Sequence, residues 1–379
     1  MKEIGIGLVG AGCIGGFHSK GYSRVRQVYG SEVVPKFVVA CDIDIERAKS
    51  ACDKYGYKKH TTDYHEVIND PEVDLVLVTV PNYVHAEVAI AAANAGKHVM
   101  CEKPMAMSME ESQRMVEAVK KNGVKNLVNF TYIKFPITVY ASEMIKRGEL
   151  GDILTFRSKF DCDYCLDPMT PSTWRQYAKY AGTGALGDLT AHVIALSDML
   201  TGLEIEEVMA TSETVFKERP KDSSMLEKVK VDTDDQIYIL VKYANGRIGQ
   251  MSSSRIAPGC PAEMGYEVQG TKGTIRHSLS KMNEMQIFLV DDPDCQFGWK
   301  TVNSNANHGD YGLQTPYPVV GIGYTDIFTT QAYTMLNAIA TDTTVWNDFQ
   351  YSHKVDAVMF AIEKSAKENR WVKISEILK

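Results

Sequence analysis

The sequence predicts an α/β fold: a doubly wound parallel sheet, followed by an α+β domain with a large, mostly antiparallel open sheet. Three observations carry this expectation. Short apolar runs and helical segments alternate over about the first 130 residues, the pattern of repeated βαβ units. Beyond that point the runs lengthen and alternate apolar with polar, as in sheets with one solvated face. Asn245-Gly246 sits between two such runs and signals a hairpin. With 379 residues the chain is long enough for two domains, which the reading sets at 1–130 and 131–379.

In order, residues 4–9 are an apolar run opening into glycines, and 17–29 have helical spacing. A second run at 33–41 ends on Asp42. Residues 45–55 are helical, with Gly56 as C-cap. The run 73–80 is β-branched and almost wholly apolar, as expected of a parallel strand covered on both faces. An alanine-rich helix at 86–95 stops at Gly96, and a strand follows at 97–101. The amphipathic helix at 108–121 opens on Ser108 and Glu111, a capping-box pair. A strand at 124–130 closes the series. The second domain opens with a helix at 136–147 and continues in alternating strands, with a further turn at Thr271-Lys272-Gly273. Helices return at 183–200, 325–340 and 351–369.

Composition bounds the function. Hydrophobic residues make up 44% and charged residues 23%, an ordinary soluble balance, and the net charge is −7. A weakly acidic chain without a basic block argues against nucleic acid or an anionic membrane as partner. The 8 cysteines are scattered without metal-ligand spacing, so reduced thiols and no metal are expected. The glycine-rich N-terminus is too short for a membrane span and lacks a cleavage pattern, which predicts a cytoplasmic protein.

Gly10-Ala11-Gly12-Cys13-Ile14-Gly15 is G-x-G-x-x-G between a predicted strand and a predicted helix, the context that gives the motif meaning. The first glycine allows the tight turn, the second admits a pyrophosphate, and the third lets helix and strand pack closely. Helix N–H groups then face the phosphates. Asp42, at the end of the second run, suits the adenosine ribose hydroxyls and repels a 2′-phosphate, so NAD is the expected cofactor. A solvated loop acid is the competing reading, and Asp44 could share the role. Pro81, Asn82 and His85 follow the third strand at its C-terminal end, where open α/β sheets bind ligands. There His85 could cap the next helix or touch the cofactor. The stretch His98-Val99-Met100-Cys101-Glu102-Lys103-Pro104 ends a strand in an acid, a base and a proline. Glu102 and Lys103 are expected to face the nicotinamide end of the crevice, with Pro104 permitting a cis bond; a surface ion pair is the bland alternative.

These residues resemble the glucose-fructose oxidoreductase / inositol dehydrogenase (Gfo/Idh/MocA) family over nearly the whole chain. The likeness rests on residues 10–15, the stretch 81–112 with "GKHVMCEKP", "GELGDI" at 148–153, 182–200, and the C-terminal "AIEKSAKENRWVKI". The resemblance implies a Rossmann domain followed by an α/β domain whose open sheet mediates oligomers. It also implies an NAD(P)-dependent dehydrogenase of sugars or polyols. Lys103 falls on the family's Glu-Lys-Pro lysine, and Asp188 and His192 on its Asp-x-x-x-His motif. From spacing alone, i and i+4 put both on one helix face, where an acid and an imidazole suit proton transfer or form a structural pair. Trp174-Arg175 matches a pair that lies by the cofactor in several relatives, against a core tryptophan with a surface arginine. Tyr132 and Tyr324 are expected at the substrate. The chain departs from the family where Ile133 follows Tyr132 and where Thr183 breaks a glycine triplet.

The leading reading is an NAD-dependent dehydrogenase of a secondary hydroxyl on a sugar, glycoside or cyclitol. The alternatives are an NAD-dependent glycosidase working through transient C3 oxidation and elimination, and a catalytically silent sensor. A homotetramer is expected, because a one-sided sheet carrying Ile237, Ile239 and Val241 in alternation needs cover.

Overall fold

The computed structural model describes residues 2–378 except 316 and 319. It contains two compact units: Met1–Lys134 with Ile322–Asp356, and Phe135–Gly321 with Ala357–Lys379. Segment 322–356 thus groups with the first unit, whereas the sequence reading assigned it with the rest of 131–379.

The first unit is built on a six-stranded parallel sheet. In chain order its elements are β1 (Lys2–Val9), α1 (Cys13–Tyr29), β2 (Val33–Cys41), α2 (Ile45–Tyr55), β3 (Lys59–Thr61), α3 (Tyr64–Asn69), β4 (Leu75–Val78), α4 (Asn82–Asn94), β5 (His98–Cys101), α5 (Met109–Asn122) and β6 (Asn126–Val128). The strand order is β3-β2-β1-β4-β5-β6. The order reverses at β1/β4, the kind of switch point where such sheets bind ligands. Local chemistry fixes the helix ends. Asp44 and Asp63 accept N–H bonds as N-caps of α2 and α3, and Gly56 ends α2 in the left-handed region. Ser108 caps α5 through the Glu111 N–H, but the Glu111 carboxylate turns to the Met107 N–H, so the expected capping box is only half formed. Ile6, Leu8, Leu75 and Leu77 are fully buried, as β-runs covered on both faces require. Met335 and Leu336 from helix 324–341 join this core, where each buried side chain contributes about 1.5–3 kcal/mol. That tertiary contact is why the segment belongs with the first unit.

The second unit continues with α6 (Pro136–Lys146), β7 (Ile153–Asp161), α7 (Ala178–Ala181), α8 (Ala191–Thr201), β8 (Ile205–Glu213), β9 (Glu218–Pro220), β10 (Lys228–Lys230), β11 (Gln236–Tyr243), β12 (Ile248–Ser254), β13 (Glu263–Gly270), β14 (Gly273–Ser278), β15 (Glu284–Leu289), β16 (Lys300–Asn303) and α9 (Tyr311–Gln314). Helices α10 (Tyr324–Thr341) and α11 (Phe349–Glu368) and strand β17 (Val372–Lys373) complete the chain. Nine strands pair in the order β16-β15-β14-β13-β7-β12-β11-β8-β17, and only β7/β12 is parallel. The Asn245-Gly246 turn joins β11 to β12 as expected.

One face of this sheet is covered by helices: the Ser197 hydroxyl of α8 lies 2.8 Å from that of Tyr243 on β11. Ile237, Ile239 and Val241 are on this covered face, 2% exposed or less, and therefore do not form the open face the sequence reading assigned them to. The strand's period of two hands that face instead to Tyr238 and Leu240, each 53% exposed, with Ile248 at 65%. Among the described residues no helix is long and apolar enough to cross a membrane.

Candidate active site

In the first unit the glycine loop leaves β1 and enters α1. Gly10 has φ of +100°, and a Cβ there would lie 2.6 Å from the Thr79 backbone. A Cβ on Gly15 would lie 2.2 Å from the Gly10 carbonyl oxygen, so helix and loop touch through a missing side chain. A Cβ on Gly12 would meet nothing within 4 Å. The loop is closed where it packs and open at Gly12, where backbone can approach a ligand. No side chain caps the α1 N-terminus, which leaves the first-turn N–H groups to an anion. Exposed Cys13 and half-buried Ile14 begin that turn.

Asp42 is 8% exposed. Its carboxylate accepts the Ala11 N–H at 2.8 Å and the Asp44 N–H at 3.0 Å. It therefore ties the end of β2 to the glycine loop, with lone pairs remaining on both oxygens for ribose hydroxyls. A groove of about 680 Å³ runs past Gly12, Cys13, Phe17, Arg47 and Lys54, within the usual range for small-molecule sites. A closed turn, an open middle glycine, an uncapped helix and an acid beside them fit a dinucleotide.

Lys103 is half-buried, one residue beyond the neighbour of the β5 C-terminus, and the Lys103–Pro104 bond is cis. Glu102 differs from expectation. It is 9% exposed and turned into the unit: His18 Nε2 lies 2.7 Å from its Oε1, and Asn129 Nδ2 donates to the same oxygen at 2.7 Å. Burial, the largest single influence, would raise its pKa. The bond and charge of His18, the charge of Lys103 and the Asn129 donor outweigh it and bring the value down to about 2. Glu102 is thus an ionised anchor between strand and helix. Pro81 precedes α4 at its N-cap position and Asn82 is buried in the first turn. His85 neither caps that helix nor faces a groove: it is 1% exposed, with Nδ1 and Nε2 each 2.9 Å from a main-chain oxygen, those of Pro104 and Val80. That leaves no ring nitrogen for the cofactor contact expected of it. Tyr132 and Tyr324 come together, their ring centroids 6.0 Å apart, and Tyr324 also packs its ring edge-on against Phe17 at 5.6 Å.

In the second unit Asp188 and His192 do not share one regular α-helix. Residues Leu186–Thr190 form a π turn that runs into α8, with His192 its second residue. The widened turn changes the angular relation that i, i+4 spacing implies in an α-helix, and such bulges recur at functional sites. Asp234 holds the start of this turn, accepting the Gly184 N–H at 2.6 Å and the Leu186 N–H at 2.9 Å. A Cβ on Gly184 would sit 1.9 Å from the Asp234 carbonyl oxygen, which demands glycine there. Beside it the buried Asp235–Arg255 ion pair, 3.1 Å, fixes the segment that carries Asp234 into β11. His192 is 5% exposed, its ring 6.0 Å from that of Phe160.

The Asp188 carboxylate accepts a 2.6 Å bond from the Tyr164 hydroxyl and lies 3.6 Å from Arg175 Nε. The Arg175 guanidinium stacks 4.4 Å from the Trp174 ring. Tyr164, Arg175 and Asp188, with Gln176, line a pocket of about 310 Å³, and Trp174 joins them only through its stacking on Arg175. Trp174 and Arg175, expected by the cofactor, are therefore grouped here with Asp188. Sequence reasoning missed Tyr164 and Asp234. Tyr164 sits between Cys162 and Cys165 in a stretch that carries no motif, and Asp234 lies in the acidic run Asp232-Thr233-Asp234-Asp235.

Comparison with known proteins gives these features a setting. The family model described as "Oxidoreductase family, NAD-binding Rossmann fold" matches residues 4–130, and the "GFO/IDH/MocA C-terminal domain" model matches 138–276. A levoglucosan dehydrogenase of Pseudarthrobacter phenanthrenivorans is 34% identical over 100% of both chains. A myo-inositol 2-dehydrogenase of Thermotoga maritima is 26% identical over 98% of this chain and 99% of its own. A levoglucosan dehydrogenase structure in complex with NADH and L-sorbose superposes with a TM-score of 0.95 at 34% identity, covering 99% of each chain. The two matched ranges and the full-length relative show that the chain belongs to the Gfo/Idh/MocA family of oxidoreductases with an NAD-binding Rossmann fold.

Proposed function

We infer that this NAD-dependent sugar or polyol dehydrogenase oxidises one secondary hydroxyl with Lys103, Asp188 and His192 as its catalytic set. The observation that carries the reading is the Asp188 pocket: an acid, a tyrosine hydroxyl and an arginine at one small pocket, one turn from a buried histidine. Such a lining recognises vicinal hydroxyls by paired hydrogen bonds. Gly10, Gly12, Cys13, Ile14, Gly15 and Asp42 would hold NAD, with Pro81 and Asn82 toward its nicotinamide end. When bound, NAD supplies the hydride acceptor. His192 takes the hydroxyl proton as general base. Lys103 donates a hydrogen bond to the same oxygen and stabilises alkoxide character as it develops. Asp188 holds a neighbouring hydroxyl, oriented by Tyr164 and Arg175, and Tyr132 and Tyr324 flank the substrate.

Levoglucosan and the inositols are the first substrates to test, because the relatives named above act on them. The dehydrogenase names also disfavour the glycosidase and sensor readings. A screen of anhydrosugars, inositols, monosaccharides and glycosides, followed at 340 nm, should show NAD reduction with one class. Hydrolysis without net NADH would overturn the reading. The second unit, in this view, carries substrate recognition and assembly. Tyr238, Leu240 and Ile248 on its open sheet face suit burial in a homotetramer, and light scattering showing a monomer at micromolar protein would refute that. The 8 cysteines are all free thiols, which supports a cytoplasmic location.

A further inference from the structure

One peptide group in the first unit is gripped from both edges by buried ionisable side chains. It is the group between Pro104 and Met105, directly after Lys103. Its carbonyl oxygen lies 2.9 Å from Nδ1 of His85 on α4. Its N–H donates to the carboxyl of Asp356 on α11. His85 is 1% exposed, Met105 0% and Asp356 2%. The grip continues outward on both sides. His85 Nε2 lies 2.9 Å from the Val80 carbonyl oxygen at the end of the neighbouring strand. Asp356 Oδ2 lies 2.8 Å from the Ser112 hydroxyl, which is 2.9 Å from His353 Nδ1.

We propose that His85 and Asp356 are positioning residues for Lys103: by fixing the Pro104–Met105 peptide they set the direction from which the lysine meets the substrate oxygen. The argument is geometric. A peptide group is a rigid plane, so bonds at its opposite edges fix its rotation. Proline φ is locked by its ring, so once the plane is held, little freedom remains between it and Lys103. On the other side, the Lys103 N–H donates to Glu102 Oε2 at 3.2 Å, and Glu102 is itself held by His18 and Asn129. Lys103 is thus braced before and after by side chains that reach no groove.

The proton count favours contact over charge. Burial pushes the Asp356 carboxyl up to about 8, against smaller opposing effects of Ser112 and Met105. A neutral carboxyl can accept from Met105 and donate to Ser112, and Ser112 can then donate to His353; each bond has one proton. An asparagine at 356 would keep the same two contacts.

The proposal rests on the catalytic reading of Lys103, so its test runs beside Lys103→Ala. His85→Leu and Asp356→Leu remove the bonds at similar volume. Each should lower kcat about 10–100-fold, the size of effect that misplacing a reacting group by about 1 Å produces, while NADH affinity, read by fluorescence, stays within about threefold of wild type. Asp356→Asn should hold kcat within about threefold of wild type. Should the leucine variants not fold, His85→Gln carries the test. A neutral His85 has one N–H, which the clamp places on Nδ1, whereas a glutamine amide replaces Nε2 at the Val80 carbonyl and leaves the Pro104 carbonyl without that donor. This variant should lose about 5–10-fold in kcat on the same positional argument. Leucine or glutamine variants with wild-type kcat overturn the clamp, as does an Asp356→Asn as impaired as Asp356→Leu. If Lys103→Ala itself keeps full turnover, it is the catalytic reading beneath the proposal that fails.

Discussion

The two sets of candidate catalytic residues are held in opposite ways. Around Lys103 four loop amide and carbonyl groups are taken by side chains: Glu102 on the Lys103 N–H, His85 on the Pro104 oxygen, Asp356 on the Met105 N–H, Glu111 on the Met107 N–H. Around Asp188 the backbone is held from one end by Asp234, while its side-chain partners are open to solvent, Arg175 being 40% exposed and Asp188 27%. On the proposed roles, the first arrangement would fix a reacting group once, and the second would leave the recognising groups free to adjust to a ligand. A dehydrogenase needs both, because the chemistry at the oxidised carbon is constant while the pattern of neighbouring hydroxyls identifies the sugar.

The largest expected effect tests whether both sets serve one reaction. Lys103→Ala and His192→Ala should each lower kcat by about 10²–10⁴, for lost alkoxide stabilisation and lost proton transfer. NADH binding should survive in both. Near-wild-type turnover in either variant would remove that residue from the mechanism. A smaller change belongs to the cofactor end. Asp42→Ala should narrow the preference for NAD over NADP by about 10–150-fold, the equivalent of roughly 1.5–3 kcal/mol for one charged hydrogen bond. Because Asp42 also holds the Ala11 N–H, KM for NAD should rise as well. Comparing kcat/KM for the two cofactors decides it, and equal use of NADP by the wild type would sink the premise.

Smaller again is Tyr164→Phe, which removes only the 2.6 Å bond to Asp188. A single neutral-to-charged hydrogen bond at a partly open site should cost about 1 kcal/mol, or about fivefold. The loss should appear in KM for the sugar and in the ranking of substrates, with KM for NAD unchanged. A pure kcat loss would instead place Tyr164 with the reacting groups and blur the contrast between the two regions.

The same contrast explains what could be read in advance. The parallel sheet, the glycine loop and the strand end at Lys103 rest on local signals: apolar runs of fixed period, glycines where a Cβ has no room, a proline after a charged pair. The grouping of segment 322–356 with the first unit is not legible in the sequence, because it depends on Met335 and Leu336 meeting a core about 300 positions earlier in the chain, which no local pattern encodes. Ile237, Ile239 and Val241 were given the wrong face because alternation shows that a strand has two faces without saying which one a helix covers. The π turn at Leu186–Thr190 was invisible for a similar reason. It depends on Asp234, some 50 positions away, and on Gly184 having no side chain. Glu102 and His85 were seen as residues of interest, but their partners His18, Asn129 and the Pro104 oxygen come from other elements.

The last prediction concerns stability. Two buried carboxyls flank Lys103, and the pH dependence they impose has opposite sign. Glu102 is held down at about 2, below its ordinary 4.5. Its contribution is present above pH 4.5 and disappears as pH falls toward 2. Asp356 is pushed up to about 8 from an ordinary 3.8. Between those values the folded chain keeps a proton that the unfolded chain has released, so this residue favours the fold fully below pH 3.8 and progressively less as pH rises toward 8. The slope is about 1.4 kcal/mol per pH unit, equivalent to about 3–6 °C in Tm for a domain of this size. Asp356→Asn removes that titration while keeping both contacts. Its Tm relative to wild type should therefore climb steadily from pH 5 to pH 8 and level off above. Glu102→Gln should show the reverse, a deficit at neutral pH that closes as the solution is acidified below pH 4.5. A Tm difference for Asp356→Asn that stays flat across this range would mean that the carboxyl is ionised in the fold, and the peptide clamp would then be held by charge rather than by a neutral pair of contacts.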